Sequence, residues 1–226
     1  MRSYDEYCAV AKSLDVVGDR WTLLIVRELA LRGACRYTDL RNGLPGIASN
    51  LLAERLRELE QAGVVAREDA PPPIATTLYR LTPRGEELEP VLDGLFEWGL
   101  PLMSEQKPDD AVRSHWLAGA LEVMLTDRQP DAPPVTVELR TGDQPIVIET
   151  RDGTIRIRLG PADSADATLT GPPKPIMGLL LGRLQLADAK ANGLDCEGDP
   201  SILDRIRAQT TPTASPSRSR TGSARP

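Results

Sequence analysis

Residues 39–65 read DLRNGLPGIASNLLAERLRELEQAGVV. Leu40 and Leu44 stand at the spacing of one face of a short helix, and Pro45-Gly46 ends it. From Ser49 to Gln61, Leu52, Leu56 and Leu59 recur at helical spacing with Leu51 beside them. Gly63 then stands where this helix needs a C-terminal cap, and Val64-Val65-Ala66-Arg67 leaves it at once as a strand. The Leu44-Pro45-Gly46 break sets the two helices at an angle. The apolar stripe of the second turns inward and its polar N-terminal half turns out.

The flanks extend the pattern. Upstream, Asp15 to Leu31 carries Val16, Val17, Trp21, Leu24, Ile25 and Leu29 at helical spacing, with Gly18 as a weak point or junction. Arg36 to Leu40 opens the short helix. Downstream, Leu78 to Leu81 reads as the return strand of a hairpin whose long tip is APPPIATT. Thr82 caps a final helix with Pro83 in its first turn and acids just after, running through Leu88, Leu92, Leu95 and Trp98. Helix, short helix, break, longer helix, strand, tip, strand, helix is the order of a winged helix-turn-helix. Short polar side chains at the start of the second helix could reach base edges in a major groove about 12 Å wide.

Composition narrows the surroundings. The 226-residue chain is long enough for two domains and is 40% hydrophobic, but aromatics make up only 4%, so its cores must be aliphatic. The formal charge of −6 means that any DNA binding must come from a local basic patch rather than from bulk charge. Three scattered cysteines suit a reducing cytoplasm rather than a disulfide framework. The opening MRSYDEYCAVAKSLD has no apolar core of a secretory signal, and no apolar run approaches the roughly 18 residues of a membrane helix. The expected localisation is cytoplasmic, with no membrane partner.

The motifs GDRWTLLI, the LPGI turn, LxxRLRELExxGVV and YxLTxxG ahead of a helix ending in EWG closely resemble the HxlR-type winged-helix transcriptional regulators, almost unbroken from Cys8 to about Met103. The resemblance implies a homodimer on a roughly palindromic double-stranded operator, with terminal helices forming the interface. It also assigns DNA contacts by position. Ser49, Asn50, Ala53 and Glu54 occupy the exposed start of the reading helix. Asn50 could pair with adenine and Glu54 could accept from cytosine N4. Arg55 and Arg57 are placed for phosphate contact or for pairing with neighbouring glutamates. Arg36, Tyr37 and Arg41 around the preceding helix are further phosphate candidates, and Arg67 and Arg80, which flank the wing tip, are further DNA-binding candidates. Two departures stand out. Ala48 replaces the serine common in the family, which would displace the helix cap to Ser49. The wing tip carries no Lys or Arg, which predicts modest affinity and a shallow salt dependence.

Gln106 to Asp110 is a polar break, and the expected division is 1–106 for DNA binding and dimerisation, 107–209 for a second domain, and 210–226 for a disordered Ser/Pro/Arg-rich tail. Ala111 to Thr126 reads as a helix. VTVELR, PIVIET and TIRIRL alternate as strands that each bury one face, with an Asp152-Gly153 hairpin turn between the last two. ADATLTG is a fourth strand, and PIMGLLLGRL, LADAKANG and DPSILDRIRAQ are short helices. The fold class is therefore α+β: a winged helix-turn-helix followed by helices over a small sheet. DATLTG and LxxGRLxxxxAxxxG…GD resemble the sterol carrier protein type 2-like fold, which implies an apolar tunnel. Trp116, Leu121, Ile176, Met177, Leu180, Leu181 and Leu184 would line a pocket for an apolar small-molecule effector, or simply form core.

Other chemistry is thinly represented. One histidine, His115, and no close cysteine pair leave the usual zinc spacings unmet, so no metal is expected. His115, in a helix, is expected capped or facing solvent. No phosphate loop or nucleophile elbow is visible, so neither a cofactor nor an enzymatic site is expected. Cys8 matches the position at which several HxlR-type regulators carry a redox-sensing cysteine; Lys12 would lower its thiol pKa, whereas Asp5 and Glu6 would raise it. Cys35 is placed in a loop, where it could react. Three functions follow in order: a dimeric sequence-specific regulator, expected to repress, whose second domain senses an apolar effector; a thiol-based electrophile sensor using Cys8; and a lipid carrier or accessory interaction protein.

Overall fold

The computed structural model describes residues 3–69, 76–104, 107 and 109–208. The wing tip and the tail from 210 onward lie outside these. The chain forms two compact units. The first comprises Met1–Ala120 with Gly142–Gln144, and the second Leu121–Thr141 with Pro145–Pro226. The expected boundary at 106/107 falls inside the first unit.

In the first unit, helix α1 spans Ala9–Val17 and α2 spans Thr22–Arg32. Gly18 is the junction between them, its N–H donating to Leu14 O at 2.9 Å. A two-residue strand β1 (Cys35–Arg36) precedes α3 (Tyr37–Gly43), and α4 covers Ser49–Gln61, the limits read from the leucine period. α4 ends in a Schellman motif: Gly63 adopts φ 71°, its N–H reaches Glu60 O at 3.0 Å, and Val64 N–H reaches Leu59 O at 2.9 Å. Strands β2 (Val65–Asp69) and β3 (Thr77–Leu81) form the hairpin, and β1 adds to its other edge with Cys35 opposite Tyr79, giving the order β1-β3-β2.

The final helix of this unit is two pieces rather than one: α5 (Pro83–Glu86) and α6 (Glu89–Gly99), followed by a 3-10 turn at Leu100–Ser104. Pro90 causes the split. It lacks an N–H, and its ring would collide with the carbonyl four residues back, so the helix stops and restarts with Pro in its first turn. Thr82 caps α5 as expected, accepting from Gly85 N–H at 3.1 Å. The core joins Ile25 and Leu29 of α2, Leu40 of α3, Leu44, and Leu52, Leu56 and Leu59 of α4 to Val64, Val65 and Leu81. Each buried leucine contributes roughly 1.5–3 kcal/mol.

Helix α7 (Ser114–Met124) begins in the first unit and ends in the second. The second unit is a five-stranded sheet, ordered β6-β5-β4-β7-β8, from β4 (Thr136–Arg140), β5 (Ile146–Arg151), β6 (Thr154–Leu159), β7 (Ala167–Thr170) and β8 (Asp195–Gly198). β4 and β7 run parallel and the other pairs antiparallel. Asp152 (φ 51°) and Gly153 (φ 73°) form the predicted hairpin turn, both residues taking the left-handed conformation. The expected one-face burial holds on the edge strand β6 but not inside the sheet, where Val137, Glu138 and Leu139 are buried in succession. Helices α8 (Pro173–Leu180) and α9 (Leu186–Ala191) match expectation, whereas DPSILDRIRAQ yields only a 3-10 turn at Pro200–Asp204. No helix among the described residues is long and apolar enough to cross a membrane.

A buried ion pair pins this unit. Arg205 grips Asp127 with two parallel bonds, Nε to Oδ1 at 2.7 Å and a terminal nitrogen to Oδ2 at 2.9 Å. The guanidinium also donates to the carbonyls of Pro133 and Ala132. These hydrogen bonds outweigh burial and hold the Asp127 carboxyl below its ordinary range.

Candidate nucleic-acid interface

The α4 leucines lie in the core, so the opposite face is set outward by the helical period. Ser49, Asn50, Glu54 and Arg57 are exposed and Ala53 is half-buried. The helix begins at Ala48 in extended conformation with no side-chain cap. The displaced cap expected at Ser49 does not form, because Ser49 is already the first helical residue. Its carbonyl accepts from the Tyr37 hydroxyl at 2.5 Å, which ties the start of α4 to α3. Tyr37 therefore positions the start of α4.

The two α4 arginines, alike in sequence, have different surroundings. Arg55 is turned inward with its side chain 13% exposed; it bonds Asp19, and it pairs with Glu58 at 2.7 Å and Glu54 at 3.3 Å. Three carboxylates occupy its guanidinium, so the pairing alternative applies to it. Arg57 is exposed, its Nε donating to Ala53 O at 3.3 Å. Arg36, at the N-cap of α3, and Arg41, in its last turn, are exposed. On the wing, Arg67 is exposed, whereas Arg80 bridges Glu68 at 3.0 Å. Of the arginines expected at the interface, Arg36, Arg41, Arg57 and Arg67 are exposed, and Arg55 and Arg80 are engaged by carboxylates.

Comparison with known proteins bears on this geometry. The model of the HxlR-like helix-turn-helix family matches residues 16–107. The uncharacterized HTH-type transcriptional regulator YvaP of Bacillus subtilis is 38% identical over 87 residues, which cover 38% of this chain and 80% of YvaP. The chain belongs to the HxlR family. An uncharacterized HTH-type transcriptional regulator of Methanothermobacter thermautotrophicus is 35% identical over 104 residues, 46% of this chain and 79% of its own length. Among solved structures, the reduced form of the transcriptional regulator YodB from Bacillus subtilis aligns at 30% identity over 45% of this chain and 100% of that one, with a TM-score of 0.39. The chain is an HTH-type transcriptional regulator of the HxlR family, and DNA binding follows from that membership. The family match stops at residue 107, ahead of α7 and the second unit.

The cysteines separate cleanly. Cys8 is exposed and sits at the N-terminus of α1, where hydrogen bonds from the backbone of Ala11 and Val10 lower its thiol pKa. Backbone N–H groups, rather than Lys12, are the cause. Cys35, expected in a loop, is buried in β1, and burial pushes its thiol up. Cys196, half-buried in β8, is raised in the same way.

One expectation about α7 fails. His115 is buried rather than solvent-facing, and its Nε2 lies 2.8 Å from Glu28 Oε2. Trp116 belongs to the first unit, and its indole N–H donates to Glu28 Oε1 at 2.6 Å, a polar duty that separates it from the other residues expected to line a pocket. Of those others, all in the second unit, Leu121, Ile176 and Leu180 are fully buried, and Met177, Leu181 and Leu184 are half-buried. Sequence reasoning missed Glu28 itself. It lies between Arg27 and Arg32 in an amphipathic helix, where an acid ordinarily marks a solvated face.

Proposed function

We propose that this regulator binds operator DNA as a homodimer, with α4 in the major groove, and that it represses transcription until an effector releases it. The observation that carries the reading is the division of α4: three leucines in the core, and Ser49, Asn50 and Arg57 free on the outer face. Asn50 reads an adenine and Glu54 a cytosine. Ser49 and Ala53 lie against the groove, and Arg36, Arg41, Arg57 and Arg67 take phosphates. Dimerisation is supported by the terminal helices. α6 buries none of its own residues, and Val91, Leu95, Trp98, Leu102 and Met103 are exposed, as are Tyr7, Val10 and Leu14 around α1. So much bare apolar surface fits a second copy. Trp98→Glu should convert a dimer to a monomer in sedimentation velocity; an unchanged dimer sinks this interface.

The second unit, a mixed sheet under short helices, supports the sterol carrier protein type 2-like reading, with an apolar effector held against α8. The test of function is fluorescence anisotropy on the chain's own upstream DNA against scrambled DNA, at about 50 and 200 mM salt. A preference for the native fragment that disappears in the folded double variant Asn50→Ala, Arg57→Ala is expected. Equal binding to both fragments refutes a sequence-specific regulator and favours the carrier or interaction reading.

One observation favours a second switch. The exposed Cys8 thiol, with its lowered pKa, suits attack on an oxidant or electrophile. If it is the sensor, Cys8→Ser keeps operator affinity and loses the response to quinones or diamide.

A further inference from the structure

Glu28 is a fully buried carboxylate in the middle of α2. Burial alone would push its carboxyl up; the hydrogen bonds from His115 and Trp116, with the nearby Arg27 charge, outweigh it and hold Glu28 below its ordinary range. Oε1 accepts from Trp116 Nε1 at 2.6 Å and from Arg27 at 2.9 Å. Oε2 faces His115 Nε2 at 2.8 Å and Arg32 at 3.8 Å. Arg27 also covers the Trp116 ring at 4.3 Å from its centroid, which adds a cation–π contact to the same cluster. The start of α7 is fixed independently. Ser114 N–H donates to the Asp143 carboxylate at 2.8 Å, and the Ser114 hydroxyl donates to Gln144 O at 2.6 Å.

The carboxylate also fills the space beside Gly43, the last residue of α3, so that no Cβ fits there. One residue earlier, Asn42 O accepts from Arg113 at 3.5 Å. The segment 113–116 therefore bears on the end of α3, immediately before the Leu44-Pro45-Gly46 turn that aims α4. Glu28 lies inside the family match at 16–107, and the two α7 rings that bond it lie beyond it.

We propose that His115 and Trp116 form an internal latch on Glu28, and that its closure positions α3 and the turn for DNA reading. They are positioning residues, acting on α3 and the turn rather than on DNA. The proposal rests on the reading of α4 as the operator-binding helix.

The test uses the full chain and the double variant His115→Gln, Trp116→Phe. The phenyl ring keeps most of the apolar contact and removes the indole N–H, while Gln retains a weaker donor. Hydrogen exchange over residues 37–52, measured without DNA, reads the positioning directly. Anisotropy on the upstream DNA reads its consequence. Faster exchange in that segment and operator affinity about tenfold weaker are expected, with binding to scrambled DNA unchanged, since phosphate contacts remain. The milder Trp116→Phe alone should give a smaller change in the same direction, which keeps the test open if the double variant folds poorly. Unchanged exchange over 37–52 overturns the latch. Faster exchange with full operator affinity also overturns it, reducing the cluster to core structure. A parent chain that shows no operator preference overturns the α4 reading instead, and is recognised by the parent measurement alone.

Discussion

The two arginines of α4 offer the sharpest test of the interface. Replace each by Gln, which keeps length and removes charge. A phosphate contact releases counterions, so each one contributes about 0.9 to the slope of log affinity against log salt on duplex DNA. Between about 50 and 200 mM salt, a fourfold change, one contact is therefore a factor of about 3.5 in the loss of affinity. Arg57 is exposed on the outer face of α4, so Arg57→Gln should lower the slope by about 0.9 and weaken native and scrambled DNA alike. Arg55 is 13% exposed and already held by Asp19, Glu54 and Glu58. Its loss leaves three carboxylates without their cation, so Arg55→Gln should cost about 1 kcal/mol of stability, a figure kept low because its partners reach solvent. Its effect on the slope should be small. Anisotropy titrations at four or five salt concentrations, with thermal melts alongside, separate the two. A slope change for Arg55→Gln equal to that for Arg57→Gln would refute the assignment, because it would mean that Arg55 leaves its carboxylates for DNA.

Two further predictions concern the frame. Gly63→Ala meets no neighbouring atom but must hold φ near 71°, so it should cost about 1–2 kcal/mol in chemical denaturation of the first unit; a neutral result would mean that the α4 cap is not formed as described. Asp127→Asn should destabilise the second unit by about 3–5 kcal/mol at neutral pH, because it strips the charge partner from buried Arg205. The folded pKa of Asp127 is lowered, so its contribution is complete above the ordinary carboxyl range near about 4 and is lost as pH falls through the folded value. The gap between parent and Asn variant, followed by circular dichroism or hydrogen exchange, should therefore narrow on acidification through that range.

What the sequence disclosed is what local patterning encodes. α4 could be bounded from its leucine period and Gly63, and the Asp152-Gly153 turn and the Thr82 cap from residue chemistry alone. The split between α5 and α6 is encoded just as locally, in Pro90, but the longer apolar rhythm around it masks it in the sequence. β1 and β8 could not be seen in that way. Cys35-Arg36 and DCEG have little strand character of their own and become strands because β3 and β7 present free edges in the right register. The site was legible as a surface and not as a set of partners. Nothing in LAERLRELE distinguishes Arg55 from Arg57 until Asp19, 36 residues earlier, is brought beside one of them. The pairs Glu28–His115 and Asp127–Arg205, separated by 87 and 78 residues, are invisible to any periodicity.

These long-range pairs bear on regulation. An effector changes operator affinity only if it binds two states of the protein with different free energies, and a tenfold change needs about 1.4 kcal/mol of difference. Hydrogen bonds to a charged group contribute about 1.5–3 kcal/mol each. Glu28 has two from α7, so opening both would far exceed that requirement, whereas weakening one would meet it. A switch built on this cluster need not unseat α7. A shift that lengthens the Trp116 bond while His115, Arg27 and Arg32 stay in place leaves the carboxylate partnered and the fold intact. It still relaxes the packing against Gly43 that precedes the turn into α4. If the proposed latch is the switch, control is graded rather than all-or-none and rests on residues beyond the family match.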